Sequence, residues 1–122
     1  MSTYEAFEAF QEGSRLLAGS SAHAAVVALE RARSLEPEKG SIRETLARAY
    51  FRSGRFVAAR REFERALELD PVNDYAHFGL GLCCLREGDR LGAHRHLKLA
   101  VAMRPERDEY RDALGRTETA DR

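Results

Sequence analysis

The side chains best able to do chemistry in this 122-residue chain are four histidines and two cysteines. His94 and His96 stand two residues apart, which on a helix turns their rings to different sides, whereas helical zinc pairs need steps of three or four. Cys83 and Cys84 are neighbours, and a helical backbone does not provide the geometry for a disulfide between them. We therefore predict no metal site, no catalytic site and no cofactor, and we expect two small buried thiols.

Apolar side chains form a second candidate site. The segment 74–86 is apolar on nearly all sides: one helical face carries Leu80, Gly81, Cys83 and Cys84, and the other carries Tyr75, Phe78, Leu82 and Leu85. A helix of this kind has to be covered on both sides. Two interpretations are open, because either a segment of another protein or neighbouring side chains of the same domain can cover the second face.

A repeat positions these residues. The three prolines, Pro37, Pro71 and Pro105, are 34 residues apart. The same step relates small and apolar positions, namely Ala25, Ala59 and Ala93, then Leu29, Phe63 and Leu97, then Ala32, Ala66 and Ala100. Apolar residues at steps of three and four predict two helices per unit, and Gly54 and Gly88 predict the turns between them. We predict helices over 3–18, 22–35, 40–52, 56–69, 74–86 and 90–103, a last helix from about 106, and no strand.

This 34-residue pattern of paired helices with a closing proline resembles the tetratricopeptide repeat. The middle unit matches best, with Leu46, Ala47, Tyr50, Gly54, Ala59, Phe63, Ala66 and Pro71. The family's Trp is replaced by Ala9, Arg43 and His77, and Ser20 stands where Gly is usual. The resemblance covers about residues 6–107 and implies an all-α fold, an α-solenoid of three antiparallel helix pairs. We expect one domain over 1–122, with repeats at about 6–39, 40–73 and 74–107, a capping helix at about 106–118 and a frayed C-terminus.

The resemblance also implies that the first helix of each pair lines a concave surface on which ligands lie. There we predict a partner-binding site formed by Phe7, Phe10, Leu17, Phe51, Arg52, Tyr75, Phe78, Leu82, Leu85 and Arg86. The expected ligand is a peptide or helix of another protein with apolar or aromatic anchors and acidic flanks, because Arg pairs with carboxylates. We expect Arg48, by contrast, to be held by Glu44 one turn earlier. Some relatives grip the C-termini of chaperones with Lys and Asn on this face of the first helices, which we call the stripe. The stripe has neither residue type in this chain, so we expect no such clamp.

Composition narrows the class of function. Twenty basic and twenty acidic residues give a net charge of zero, so no overall field favours nucleic acid as a partner. The sequence has neither a basic and apolar leader nor a run of about eighteen apolar residues, so we expect no membrane partner and a cytoplasmic location. The leading hypothesis is a non-catalytic adaptor. A self-association module, such as a homodimer, is the first alternative because little charge repulsion opposes it, and an enzyme or small-molecule binder is the second.

Overall fold

Seven helices make up the computed structural model, which describes residues 2–119. They are α1 (Ser2–Ala18), α2 (Ala22–Leu35), α3 (Gly40–Arg52), α4 (Phe56–Leu69), α5 (Asp74–Glu87), α6 (Arg90–Met103) and α7 (Asp108–Thr119). Within residues 2–119 there is no strand, as predicted. None of these helices combines the length and the apolarity that a membrane span requires. The predicted frayed tail, at 120–122, lies outside the described residues.

The helices stack as three antiparallel pairs, α1–α2, α3–α4 and α5–α6, and α7 packs on the last pair. Ala25, Ala59 and Ala93 are fully buried at 0% exposure, and their small side chains leave room for the two helices of each pair to approach closely. The first helices also contact one another, α1 with α3, α3 with α5 and α5 with α7. They therefore lie along one side of the stack. The chain is an α-solenoid of three helix pairs closed by a C-terminal helix.

The turn inside each helix pair uses a left-handed backbone conformation. Gly54 and Gly88 adopt φ values of 84° and 80° without steric cost, because glycine has no Cβ. Ser20 stands at the corresponding place in the first pair with a φ of 72°. A side chain in this region costs roughly 1–2 kcal/mol. The first pair therefore contains a strained turn that the other two pairs avoid.

Polar side chains tie the start of three helices to the turn before each. Arg43 Nε donates to the Pro37 carbonyl at 2.9 Å, and His77 Nε2 donates to the Pro71 carbonyl at 3.2 Å. Arg111 makes the same bond to the proline carbonyl six residues before it. At two of these positions the tetratricopeptide pattern has Trp, so in this chain a hydrogen bond fixes the turn.

The helix α7 closes the stack with a partly apolar inner face. Tyr110 is fully buried, and its ring stacks on Phe78 with 4.7 Å between ring centroids. The Tyr110 hydroxyl donates to Asp74 Oδ2 at 2.6 Å, which ties α7 to the start of α5. The helix begins at Asp108, two residues later than predicted, because 105–107 continue the turn after α6.

Candidate partner-binding groove

The predicted apolar stripe contains one well-formed pocket. A cavity of about 290 Å³ opens between α3, α5 and α7, and we refer to it as the α3–α5 pocket. Five of the predicted binding residues line it, namely Phe51, Arg52, Tyr75, Phe78 and Leu82. The structure therefore brings residues of the second and third helix pairs together on one concave site.

The floor of the α3–α5 pocket is aromatic and held in place by ring contacts. Phe63 lies behind Gly79, where an added Cβ would come within 2.2 Å of the Phe63 ring. Tyr75 lies between Phe63 and Phe78, at centroid distances of 6.4 Å and 5.4 Å. Phe78 is only 6% exposed because Tyr110 stacks on it. Since each ring is supported by another, the floor is formed before any ligand arrives.

Arg48 provides one side of the pocket rim. Its guanidinium carbon lies 4.8 Å from the centroid of the Tyr75 ring, a cation–π contact. The predicted pair with Glu44 is present but loose, because 3.9 Å between Nη1 and Oε2 exceeds hydrogen-bond distance. Glu44 also accepts a hydrogen bond from Asn73 Nδ2 at 3.2 Å. The Nε of Arg48 is buried without a hydrogen-bond partner, so this guanidinium is incompletely paired.

The remaining charged groups of the rim come from α3 and α7. Arg52 Nη1 donates to the Leu17 carbonyl at 3.1 Å, which fixes the arginine at the end of α1. Glu109, on the α7 side, pairs with Arg107 in an exposed contact. Among the residues that line the pocket, the charged side chains are therefore Arg48 and Arg52 on α3 and Glu109 on α7.

Tyr75 lies between these charges. Burial raises the pKa of the Tyr75 hydroxyl, and Glu109 and Glu44 raise it further, whereas Arg48 and Arg52 lower it. The shift leaves Tyr75 a neutral phenol at neutral pH. It can both donate and accept a hydrogen bond within the pocket.

The other predicted residues lie outside the pocket, and Leu17, Leu85 and Arg86 are engaged within their own chain. Leu17 is 3% exposed in the core cluster that runs from the first repeat into the third. Leu85 is half-buried against the cluster that contains Phe78. The guanidinium of Arg86 lies over the Phe56 ring at 4.1 Å from its centroid. Arg86 therefore covers a ring of its own chain and not the edge of the pocket.

The first repeat contributes a shallower surface. Phe7 is exposed and Phe10 half-buried, and both border a small cavity of about 110 Å³ beside Ile42. A broad depression of about 620 Å³ lies on the outer edge of the first helix pair, where Tyr4 and Phe7 are exposed. This edge is partly charged, because Glu8, Glu12 and Arg15 occupy the positions that hold Ile42, Leu46 and Ala49 one repeat later.

Matches to models of protein families identify the family of this chain. Residues 44–108, more than half of the chain, match a tetratricopeptide-repeat model, and residues 16–65 match a second one. The chain belongs to the tetratricopeptide-repeat family. Its seven helices fit three tetratricopeptide repeats and a capping helix.

Curated relatives share parts of the sequence. A tetratricopeptide repeat-containing protein of Pseudomonas aeruginosa is 38% identical over 93 residues, which are 76% of this chain and 36% of that protein. Cellulose synthase operon protein C of Komagataeibacter sucrofermentans is 32% identical over 79 residues, which are 64% of this chain and 6% of the relative. The chain thus spans only a minor part of the length of these relatives.

Solved structures share the whole fold. The tetratricopeptide-repeat domain of Arabidopsis OM64 superposes with a TM-score of 0.94 at 17% identity, covering 98% of this chain and 99% of that one. The first such domain of Spaghetti (RPAP3), bound to the HSP90 peptide SRMEEVD, superposes with a TM-score of 0.90 at 17% identity, covering 96% and 93%. At these identities the likeness concerns the fold alone.

Four residues of the pocket were missed by the sequence reasoning, and one of them is Arg48, which was expected to be held by Glu44. Phe63 is part of the helix-pair pattern, so the repeat alone gave no reason to place it at a groove. Gly79 carries a usable signal, because glycine stands where the second repeat has Thr45, and a missing side chain opens space. Glu109 belongs to the capping helix, which was expected only to cover the end of the stack.

The cysteines and the neighbouring histidines lie as predicted. Cys83 and Cys84 are free and buried, and burial raises the pKa of the Cys83 thiol to about 12 and also raises the pKa of Cys84. Both are therefore protonated at neutral pH and poor nucleophiles. His94 contacts the Thr117 hydroxyl of α7 at 3.0 Å, whereas His96 faces α5. Among the residues that the structure describes, no three His, Cys, Asp or Glu side chains are grouped to hold a metal ion.

His77 and His96 form a pair between α5 and α6. The Pro71 carbonyl can only accept, so His77 Nε2 carries a hydrogen and His77 Nδ1 accepts from His96 Nδ1 at 3.3 Å. Burial lowers the pKa of His96, and His77, Arg95 and Arg60 lower it further. The folded state therefore favours a neutral His96 ring.

Proposed function

We propose that this tetratricopeptide-repeat chain is a non-catalytic adaptor that holds a peptide or helix of another protein in the α3–α5 pocket and the adjoining groove. The observation that carries this proposal is the open apolar pocket of about 290 Å³ with its supported aromatic floor. A pre-formed pocket binds an apolar anchor at little cost in ordering, and buried aromatic contacts dominate binding energy at interfaces. Arg48 and Arg52 on the rim favour acidic residues beside the anchor.

The predicted residues have different roles in this proposal. Four of them form the apolar contact surface: Phe51, Tyr75, Phe78 and Leu82. Phe7 and Phe10 continue this surface toward the first repeat, where a longer segment reaches them. Leu17, Leu85 and Arg86 support the groove from within the chain, because each is engaged with its own core or with a neighbouring ring.

Similar folds support a protein segment as the ligand. The first tetratricopeptide-repeat domain of Spaghetti (RPAP3) is bound to the HSP90 peptide SRMEEVD, and the second domain of human RPAP3 to the HSP70 peptide SGPTIEEVD. In this chain the stripe holds Phe10, Ser14, Glu44 and Arg48, without the Lys and Asn of a chaperone-tail clamp. We therefore propose a ligand held by internal apolar anchors and not by a free C-terminus.

Affinity capture with matched variants tests the proposal. Leu82→Glu places a charge on the pocket wall, whereas Leu91→Glu places the same charge on α6 at a residue that is 70% exposed. We expect Leu82→Glu to weaken capture of the partner from the native cell extract at least about tenfold, equivalent to about 1.4 kcal/mol. Leu91→Glu should leave it unchanged. Circular dichroism must show both variants folded, and equal capture by the two would refute binding in this pocket.

A second candidate function is self-association through the outer edge of the first repeat. Tyr4 and Phe7 are 66% and 57% exposed there, beside the 620 Å³ depression. Exposed aromatic side chains grouped in this way are typical of contact surfaces. Sedimentation across a wide concentration range separates the two functions, because an adaptor stays monomeric, while a module of this kind dimerises and Phe7→Glu abolishes the dimer.

A further inference from the structure

The two sides of the α3–α5 pocket carry opposite charge. Arg48 and Arg52 lie one turn apart on α3, and Glu109 lies on α7. Burial raises the pKa of the Tyr75 hydroxyl between them, Glu109 and Glu44 raise it further, and the two arginines lower it. A ligand in the pocket therefore meets a positive side and a negative side.

Arg48 is the less fully paired arginine of the positive side, because its Nε is buried without a hydrogen-bond partner. Arg52 is already bonded to the Leu17 carbonyl at 3.1 Å, and Arg86 is stacked on Phe56. The Glu44 carboxylate lies 3.9 Å from Arg48 Nη1, too far for a hydrogen bond, and the Arg48 side chain is 33% exposed. A ligand carboxylate that approaches it makes the short, charge-assisted bonds that Glu44 does not make.

Glu109 is the matching part of the negative side. Its partner Arg107 lies two residues earlier, just before α7 begins, and the side chains of Glu109 and Arg107 are 50% and 40% exposed. Exposed pairs of this kind contribute only about 0–1 kcal/mol, so a ligand cation can replace Arg107. A ligand carboxylate at the same place would instead be repelled.

The size of the pocket limits which ligand group fits between Arg48 and Glu109. About 290 Å³ is the lower end of the range for ligand pockets, which runs from about 300 Å³ upward. The floor of Phe63, Tyr75 and Phe78 is apolar, so a single large apolar side chain fits best.

We infer, on the basis of the proposed function, that the pocket selects a segment of mixed charge. A large apolar side chain enters over the aromatic floor, an acidic side chain on one flank pairs with Arg48, and a basic side chain on the other flank faces Glu109. This narrows the expected ligand, because acidic residues on both flanks would set one carboxylate against Glu109.

A library of random 12-residue peptides displayed on phage is the probe. The library is enriched separately for peptides that bind the wild type, Glu109→Arg and Glu118→Arg. Glu118→Arg is the control, because it makes the same charge change at an exposed position near the other end of α7. From the wild type and from Glu118→Arg we expect peptides with a large apolar residue between an acidic and a basic one. From Glu109→Arg we expect acidic residues on both sides.

Synthetic copies of the selected peptides give the affinities by fluorescence polarisation. Replacing the basic residue by Glu should weaken binding to the wild type about tenfold and strengthen binding to Glu109→Arg. The mixed-charge inference is overturned if the peptides selected on the wild type have acidic residues on both flanks, or if Glu109→Arg selects the same flanking charges as the wild type. Either result leaves the pocket as the binding site. If no peptide is enriched, or if the amide shifts caused by a selected peptide map away from α3, α5 and α7, the proposed function falls as well.

Discussion

The first and third repeats follow one sequence pattern but differ in what covers them. In the third, α5 packs against α3, α4, α6 and α7, and Phe78 is 6% exposed. In the described part of the chain no helix packs before α1, and Phe7 is 57% exposed although it lies on the same stripe. A stripe residue thus becomes core, pocket wall or exposed surface according to its neighbouring helices. The repeat pattern alone does not specify which.

This difference places the part of the groove with a supported aromatic floor at the C-terminal half. Rings there are held by other rings, such as Tyr110 on Phe78, whereas Phe7 has solvent on much of its surface. The capping helix therefore supports the floor of the α3–α5 pocket and also supplies Glu109 to its rim. Closing the stack and shaping the site are done by the same helix.

The largest expected effect is a difference in the free energy of unfolding between substitutions of Phe78 and of Phe7. Phe78→Ala removes a buried ring that stacks on Tyr110 and should lower the free energy of unfolding by about 3–5 kcal/mol. Phe7→Ala removes an exposed ring and should change it by less than about 0.5 kcal/mol. Urea denaturation followed by circular dichroism measures both. Equal losses would show that the two ends of the stripe are equally buried in solution.

A smaller effect concerns the turns of the same two repeats. Ser20→Gly should raise the free energy of unfolding by about 1 kcal/mol, because it relieves a left-handed residue that carries a Cβ. The converse substitution, Gly88→Ser, should lower it by a similar amount. Thermal and urea unfolding of the two variants provide the measurement, and a destabilised Ser20→Gly would mean that the serine makes a compensating contact.

The smallest expected effect is a pH dependence of the free energy of unfolding. It comes from a histidine pair that the third repeat has and the first repeat lacks. His77 and His96 stand where the first repeat has Ala9 and Ala28. The pKa of His96 is lowered in the folded state, so its contribution is present above the unfolded pKa of about 6.5 and is lost as the pH falls through the folded pKa. Stability should therefore decrease from pH 7 toward pH 5.

Two variants test the origin of this decrease. Arg60 and Arg95 lie near His96 and oppose a further positive charge, while Glu64 favours it. His96→Gln should flatten the decrease, because it removes the ring whose pKa is lowered by burial in the folded state. His23→Gln, at an exposed position of α2, is the control and should keep the decrease. If both variants behave alike, the pair is not its source.

The second repeat shows why an interhelical pair of this kind is hard to predict from sequence. At the positions of His77 and His96 it has Arg43 and Glu62, whose Nη1 and Oε1 atoms are 2.9 Å apart. Glu62 is 6% exposed and also pairs with Arg33. The repeat step identifies the two positions as equivalent, but the residue types reveal the contact only when their side chains are seen to meet.

The helices and the pocket differ in how far sequence predicts them. The 34-residue step gave the helix bounds to within two residues, because apolar periodicity and turn residues are local signals. It also placed Phe51, Tyr75 and Leu82 in one groove, since equivalent faces of the first helices align. It did not place Arg86 on Phe56, nor Glu109 on the pocket rim, because these contacts join different elements. Such contacts depend on how far one repeat is rotated against the next.

The central claim, that a partner segment lies in the α3–α5 pocket, is tested most directly by site-specific photocrosslinking in living cells. A benzophenone amino acid is placed at Leu82 on the pocket wall or at Val57, which is 64% exposed on α4. We predict one crosslinked partner from position 82, lost on Arg48→Glu, and none from position 57. A partner crosslinked from position 57 and not from position 82 would contradict the claim.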